Sequence, residues 1–593
     1  MRKTSSWLKR LQALSNDPAH PAQIALRTYA LALSFSLLPS LIPFLAAFVT
    51  KKRTSKTGLP GLKRVLRREF GHDGFAFSVT LAVGGGALIR HLWRESEDGN
   101  QQVLPAQNTS SKTSPIIPCP WISLHSLCYL RHLTVAQKTF LSYVFSSTFG
   151  VLLLQAGRRR FLRMRRLRSL PDGNLKDGPS PTLDLTLLLA VRAIDAILQA
   201  FILRASAPKP LIPQNIYQHT PHPDLVKVLL QSERDKQTTR ERQRLTSRID
   251  ALIFWACSAR IMWCFFYEPQ RLPRSYVKWI GNLANVDGRL LQALSFLRDG
   301  KRWSYLRGSP EFRNLLATYA QELGHPAQWG DPLSLPAIGG QAANVTWQTL
   351  GVKSRPNIGG IPCEIVHGHV GQEFGLSASC TANAFLRGVT AFLKAVAIYL
   401  PAHFVPVILT RPWSLLKLHR AVATLIGALR SATFLSTFVA SYWYAVCLTR
   451  TLFLARLFPW ISHDFWDGPY GCLLAGSLAC GNSIWIENGR RRGEMALYVL
   501  PKALRACLPD SWITRCSKPV LIGERIAFIL SLSSLLTAAV HRPDSLRGLS
   551  RWTLAFVMNG PNAGFWKRKR EAISVPPTPT VPLTPGGGKQ QVI

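Results

Sequence analysis

The chain has 593 residues, of which 47% are hydrophobic and 17% charged, and 72 lysine and arginine residues against 31 acidic residues give a formal net charge of +41. This charge excludes a typical acidic cytosolic enzyme, and the dispersion of 41 glycines and 40 prolines excludes a collagen or a low-complexity chain. The apolar fraction is compatible with a membrane protein, because polar loops dilute apolar spans.

Long apolar runs recur along the chain, and a helix needs about 20 mostly apolar residues to cross a bilayer. Runs of full length without a charged residue are 29–50, 139–157, 431–449 and 468–486. Near-length runs are 74–89, 395–410, 526–540 and 251–267, the last of which contains one arginine. The runs are continuously apolar rather than alternating, which favours helices over a β-barrel. We therefore predict an all-α, polytopic helical membrane protein.

Basic residues cluster beside these runs. One cluster is Arg158, Arg159 and Arg160, and the other is Arg490, Arg491 and Arg492. Such placement marks cytosolic loops, so we predict that both clusters face the cytosol and that the chain binds no nucleic acid. Basic residues near a membrane also attract anionic lipid headgroups by about 1 kcal/mol each. A role in topology alone and an added role in binding membrane lipids both stay open.

Two parts of the chain, 1–286 and 361–560, share an order of sequence features. The paired features are two prolines of an early span (Pro39 and Pro43; Pro401 and Pro406) and a later motif (Pro269, Leu272 and Trp279; Pro543, Leu546 and Trp552). This order predicts two pseudo-repeated halves of about four to five helices each. The basic clusters give both halves the same orientation, so the repeat is parallel, with a pathway expected at the interface of the halves.

The remaining segments differ from the two halves in composition. Residues 205–249 are predicted to form a polar loop or a solvated helix within the first half, 287–360 a linker, and 561–593 a disordered tail rich in proline and glycine. Small residues in the span before each basic cluster, such as Gly150 and Gly476, allow close helix packing. Their faces also suit a homo- or hetero-oligomer.

One cluster of potential metal ligands precedes the run at 395–410. It consists of Cys363, His367, His369 and Cys380, and thiolate and imidazole are zinc ligands. The spacing matches no standard zinc module, so a metal site, a disulfide and plain packing all remain open. The other cysteines lie mostly within apolar runs and are predicted to behave as small apolar residues.

Charged residues also interrupt two amphipathic segments. Segment 184–204 carries Arg192 and Asp195 on one face, whereas the matching segment 494–508 carries two basic residues instead. This disagreement favours helices that lie on the membrane over a charged transport site within it. The sequence contains no nucleotide-binding, metalloprotease or serine-hydrolase motif, so no catalytic residue and no cofactor is predicted.

Residues 361–560 resemble the N-terminal domain of the transmembrane protein 135 family. The resemblance rests on Pro362-Cys363-Glu364 with His367 and Cys380, on Ile398-Tyr399-Leu400-Pro401, on Cys447 to Arg450, and on Arg491-Arg492-Gly493-Glu494. It implies a multi-pass protein of peroxisomes or mitochondria linked to lipid metabolism and organelle dynamics. It also implies a distant similarity to the protein-import channels of the mitochondrial inner membrane.

The function expected from this resemblance is a non-enzymatic transport, scaffold or regulatory role. The alternatives are a solute or lipid channel or transporter with its pathway between the halves, and a membrane-embedded lipid-modifying enzyme. A cavity lined by polar residues would favour transport, converging His, Asp or Glu residues would favour an enzyme, and a dry interface of small residues would favour a scaffold.

Overall fold

The computed structural model describes residues 17–49, 58–101, 133–168, 180–205, 223–299, 303–308, 312–410, 412–514 and 517–560. Within these ranges all regular secondary structure is helical, which confirms the predicted all-α class. The predicted tail at 561–593 lies outside the described residues.

The helices of the N-terminal part are mostly long. They are α1 (Pro21–Val49), α2 (Leu59–Phe70), α3 (Phe75–Gln101), α4 (Val135–Arg168), α5 (Leu183–Ala205), α6 (Pro223–Tyr267), α7 (Arg274–Ala284), α8 (Gly288–Asp299), α9 (Asn314–Glu322) and α10 (Gln341–Leu350). Residues 223–249 of the segment 205–249 belong to α6, so this part of the segment is a helix and not a loop.

The C-terminal part contains both long and short helices. They are α11 (Cys363–His367), α12 (Cys380–Thr410), α13 (Leu418–Cys447), α14 (Leu454–Leu457), α15 (His463–Trp466), α16 (Cys472–Cys480), α17 (Gly489–Cys507), α18 (Asp510–Thr514), α19 (Lys518–His541) and α20 (Gly548–Asn559). A π-helical turn at Leu448–Leu452 follows α13, and a 3-10 helix at Gly481–Ile486 follows α16.

Within the described ranges, eight helical segments are long and apolar enough to cross a bilayer. They are Pro21–Phe44, Leu59–Ser96, Val135–Arg160, Leu183–Ile202, Gln243–Tyr267, Cys380–Ile408, Leu418–Leu457 and Lys518–His541. These segments make the chain a multi-pass integral membrane protein. Seven of the eight apolar runs recognised in the sequence overlap with these segments.

The eighth run, 468–486, does not form a full-length span. Its helix α16 has 9 residues and continues as a 3-10 helix from Gly481. A Cβ atom at Gly481 would lie 2.4 Å from Cδ1 of Trp255, so the backbone of this run packs directly against α6. Conversely, Leu183–Ile202 is long and apolar enough to cross a bilayer although it contains Arg192. The other segment predicted to lie on the membrane, 494–508, falls in α17, which is not among the eight.

The described residues group into two compact units, of which the first comprises Met1–Phe161 and Leu532–Ile593. Small residues bring its helices together. Ser146 of α4 donates hydrogen bonds to the carbonyls of Leu81 and Ala82 in α3, at 2.6 and 2.9 Å. A Cβ atom at Gly150 would lie 2.8 Å from Cβ of Ala82. The predicted close packing of small residues is therefore found here within the chain.

The second unit comprises Leu162–Ser531. Its largest hydrophobic cluster joins α6, α12, α13, α16 and α17, and contains the buried aromatic residues Phe254, Phe266, Tyr442 and Trp443. Phe266 and Tyr442 stack with their ring centroids 5.3 Å apart. The core of this unit is thus built by packing the long helices around aromatic side chains.

The segment predicted as a linker, 287–360, contributes to a second hydrophobic cluster of the same unit. This cluster includes the buried side chains of Trp303, Trp329 and Trp347 and joins α8, α9 and α10. The indole N–H groups of Trp329 and Trp347 donate to backbone carbonyls at 2.9 and 2.6 Å. These residues are therefore part of a packed hydrophobic cluster, which also includes Ile361 and Ile365.

Two pairs of segments that the predicted repeat matches have similar local structure. Both α1 and α12 contain two internal prolines, and a 3-10 helix begins at Pro269 and again at Pro543. Each of these 3-10 helices is followed by a buried leucine, Leu272 or Leu546. The duplication of whole halves with the boundaries 1–286 and 361–560 stays a prediction.

Candidate functional site

An apolar cavity of about 130 Å³ lies within the second unit, among α6, α7, α12, α13 and α17. Aromatic rings form much of its wall, including those of Phe254, Tyr276, Tyr399 and Phe438. A cavity of similar size lined by leucine, isoleucine and phenylalanine stays dry and accepts small apolar ligands. The site is therefore suited to an apolar segment of a ligand and not to a polar solute.

A lysine ammonium lies beside this cavity. The Lys502 ammonium lies 3.3 Å from the ring centroid of Tyr498 and 5.1 Å from that of Tyr276, and both rings line the cavity. Partial burial lowers the pKa of Lys502 to about 8, although the nearby Asp184 carboxylate opposes this shift. A cation next to an apolar cavity provides the two contacts that an amphiphile with an anionic head requires.

Three of the four potential metal ligands recognised in the sequence come together. The donor atoms of Cys363, His367 and Cys380 lie within 4.8 Å of one another, and the two sulfurs are 3.9 Å apart. His369 does not join them, because its side chain is exposed and its Nδ1 lies 3.1 Å from Oε1 of Gln372. The short helix α11 ends at His367, and the chain turns at Gly368, where φ is +64°. His369 therefore lies beyond the helix.

The sequence did not reveal a fourth member of this group. Cys447, the last residue of α13, places its sulfur 3.6 Å from Nε2 of His367. The sequence predicts only apolar packing for Cys447, because this residue lies in an apolar run. The hydrogen bond with Cys380, together with burial, raises the pKa of Cys363 to about 12, so the free thiol stays protonated at neutral pH.

Acidic residues of the second unit are largely committed to arginines. Asp467 accepts hydrogen bonds from Nε of Arg450 at 2.5 Å and from the Tyr305 hydroxyl at 2.6 Å, and all three side chains are buried. Burial lowers the pKa of the adjacent His463 to about 4. Glu268 similarly contacts Arg271. Removing either partner of such a buried pair would leave an uncompensated charge.

The two arginine clusters differ in their surroundings. In the first, Arg159 and Arg160 are exposed, and Arg160 pairs with Asp73 at 2.6 Å, while Arg158 is half-buried. In the second, Arg490 is exposed. Arg491 contacts Ser431 and the ring of His403, and Arg492 donates to the backbone carbonyl of Glu487 at 3.0 Å. The second cluster therefore has a structural role in addition to any role in topology or lipid binding.

Two charged residues of α5 pair with residues of α17. Arg192 pairs with Glu494 at 3.2 Å, and Asp184 pairs with Arg505 at 2.5 Å. These contacts cross between helices, whereas the sequence suggested a pair within one helix face. Comparisons with protein-family models, with curated proteins and with solved structures give no match to this chain.

The predicted cytosolic orientation of the arginine clusters can be tested by labelling. Exposed positions are suitable, so we choose Arg159→Cys and Arg490→Cys; a side chain at Gly157 would collide with the Asp73 carbonyl, since its Cβ would lie 2.2 Å away. We expect both cysteines to react with a membrane-impermeant maleimide added outside intact organelles. The unsubstituted chain provides the background from native cysteines. Protection of both positions would contradict the orientation.

Proposed function

We propose that the chain is an organelle membrane protein of the transmembrane protein 135 type that binds lipid acyl chains. Its role would be in transport, scaffolding or regulation within peroxisomal or mitochondrial lipid metabolism or organelle dynamics. The observation that carries this proposal is the aromatic cavity with the Lys502 ammonium beside it. The resemblance of residues 361–560 to that family supports the same class of ligand.

The chemistry of the cavity defines the part of a lipid that it accepts. A volume of about 130 Å³ accommodates a few methylene groups and not a whole acyl chain. Each buried methylene contributes about 0.8 kcal/mol to binding. An anionic carboxylate or phosphate near Lys502 would add an electrostatic contribution that grows where the ammonium is partly desolvated.

Among the alternatives, a lipid transporter is closer to this proposal than a channel for polar solutes. The cavity wall is apolar and aromatic, so a polar solute would lose its hydration without gaining hydrogen bonds. A lipid-modifying enzyme would require acids or bases directed at a ligand, and the buried carboxylate of Asp467 is instead paired with Arg450. Of these three functions, lipid binding therefore agrees best with the apolar wall of the cavity.

A cavity-filling substitution tests this function directly. Val439 lines the cavity on α13, whereas Val422 on the same helix is 43% exposed and lies outside it. We expect Val439→Phe to displace about two methylene groups and weaken fatty-acid binding by about tenfold. Val422→Phe should leave binding unchanged. The measurement is cross-linking of the detergent-purified chain with a photoreactive fatty acid at increasing concentrations.

The headgroup contact has its own expected result in the same assay. Lys502 has a pKa of about 8, so its charge and its attraction for an anion are lost as the pH rises through that value. Lys502→Gln should weaken binding and remove this dependence on pH. Equal binding by Val439→Phe and the unsubstituted chain would refute the cavity as the lipid site. Localisation with peroxisomal and mitochondrial markers tests the proposed organelle separately.

A further inference from the structure

Four side chains that can bind a metal converge at one end of a helical hairpin. Cys363 and His367 belong to α11, Cys380 is the first residue of α12, and Cys447 is the last residue of α13. The helices α12 and α13 have 31 and 30 residues and pack along each other, so the start of one and the end of the other lie together. The fold therefore places three cysteines and one histidine around a common point.

Two separations between donor atoms are close to those of a tetrahedral zinc site, and the donor atoms of Cys363, His367 and Cys380 all lie within 4.8 Å of one another. Zinc binds cysteine sulfur at about 2.3 Å and histidine nitrogen at about 2.0–2.1 Å, which in tetrahedral geometry separates the ligand atoms by about 3.5–3.8 Å. The sulfurs of Cys363 and Cys380 are 3.9 Å apart, and Cys447 Sγ lies 3.6 Å from His367 Nε2. Cys447 also packs with Cys363 and Cys380 in one cluster of buried side chains.

The histidine has the orientation and tautomer that a zinc ligand requires. Nδ1 of His367 lies 2.6 Å from the carbonyl oxygen of Ser377. A carbonyl only accepts, so Nδ1 carries the hydrogen and the lone pair of Nε2 points toward Cys447. A hydrogen bond from the second ring nitrogen to a carbonyl is the usual support of a metal-binding histidine.

A buried cation provides a second, independent observation. The Arg355 guanidinium is fully buried, and its Nη1 lies 3.3 Å from Sγ of Cys363 and 3.2 Å from Oγ1 of Thr451. No carboxylate within the described ranges lies within 4 Å of it. A zinc ion with three thiolates and one neutral histidine has a net charge of −1, which this guanidinium would neutralise. With neutral thiols, the buried charge would have no close counter-ion.

We propose that Cys363, His367, Cys380 and Cys447 bind one zinc ion in a closed, structural Cys₃His site. Four protein ligands leave no open position for a substrate, so the ion joins α11 to the α12–α13 hairpin and performs no catalysis. Cys447 and His367 distinguish the site from a disulfide between Cys363 and Cys380, because a disulfide needs neither of them. The proposal does not depend on lipid binding.

Metal content of the full-length, detergent-purified chain tests the site. We expect about one zinc ion per chain by mass spectrometry of the elements, and a loss of most of it in Cys447→Ser and in His367→Asn. Matched controls are Cys480→Ser, a buried cysteine outside the group, and His369→Asn, the exposed neighbouring histidine. Both controls should retain zinc.

A measurement on the unsubstituted chain keeps the test decisive where a variant fails to fold. Reduced protein stripped of zinc and titrated with Co²⁺ should develop the thiolate-to-cobalt charge-transfer and tetrahedral d–d absorption, saturating at about one ion per chain. Absence of this spectrum and of zinc would overturn the proposal. Zinc retained in Cys447→Ser, or peptide mapping of a Cys363–Cys380 disulfide in protein purified without oxidants, would also overturn it.

Discussion

Asp467→Asn is expected to lower the free energy of unfolding by about 3–5 kcal/mol, because it removes the charge partner of a buried arginine. Arg450 is 3% exposed, and its Nε and Nη2 donate to Asp467 at 2.5 and 3.2 Å. The neutral amide cannot offset the guanidinium charge, and the group has no access to water. Unfolding of the detergent-purified chain by denaturant, followed by tryptophan fluorescence, measures the effect.

The dependence of this contribution on pH has a definite sign. Burial alone would raise the pKa of Asp467, but the charge of Arg450 outweighs it and holds that pKa well below its usual value. A depressed carboxyl pKa in the folded state stabilises the protein above the unfolded pKa of about 3.9, and this stabilisation is lost as the pH falls below it. The difference between Asp467→Asn and the unsubstituted chain should therefore stay constant between about pH 5 and 8.

Two control variants distinguish the effect of breaking the buried pair of Arg450 and Asp467 from the effect of removing any acidic charge. Asp544 pairs with Arg551 at 3.0 Å, with both side chains exposed, so Asp544→Asn should cost less than about 1 kcal/mol. Replacing both Arg450 and Asp467 by leucine should be much less harmful than Asp467→Asn alone, because no uncompensated charge remains. Equal costs for Asp467→Asn and Asp544→Asn would contradict the buried pair.

The helical class and most spans were predictable because continuous apolar runs of about 20 residues have few alternatives to a membrane-spanning helix. One predicted span is wrong. Run 468–486 has the right length, but its glycines allow α6 to approach its backbone, so the run packs as a short helix and a 3-10 turn. For segment 184–204 the sequence favours a helix on the membrane surface, because the matching segment 494–508 carries different charges, and this placement stays a prediction.

Functional residues were predictable from the sequence only where they are neighbours along the chain. Cys363, His367 and Cys380 fall within one short stretch and were recognised together. Cys447 and the buried pair of Arg450 and Asp467 were missed, because residues at the ends of apolar runs are indistinguishable from ordinary flanking residues. Only the packing of α12 against α13 shows that Cys447 faces His367. The aromatic cavity, built from five separate helices, has no local signature.

Gly476→Leu is expected to destabilise the second unit by about 1–3 kcal/mol, because α16 packs on α13 at this glycine without space for a side chain. A Cβ atom there would lie 2.8 Å from Cγ2 of Val446 and 3.0 Å from the carbonyl oxygen of Tyr442. Backbone atoms cannot move aside as a flexible side chain can, so the two helices must separate. Thermal unfolding of the purified chain, followed by tryptophan fluorescence, measures the loss.

Gly281→Leu is the matched control, because a Cβ atom at Gly281 of α7 would have no neighbour within 4 Å. Replacing a helical glycine by leucine raises helix propensity by up to about 1 kcal/mol, so this variant should be as stable as the original chain or slightly more so. Leucine raises helix propensity at position 476 by the same amount, so a net loss of stability there must come from the steric clash. Similar unfolding temperatures for the two variants would mean that α16 does not contact α13 closely. That result would contradict the packing described for α13, the helix that lines the aromatic cavity and ends at Cys447.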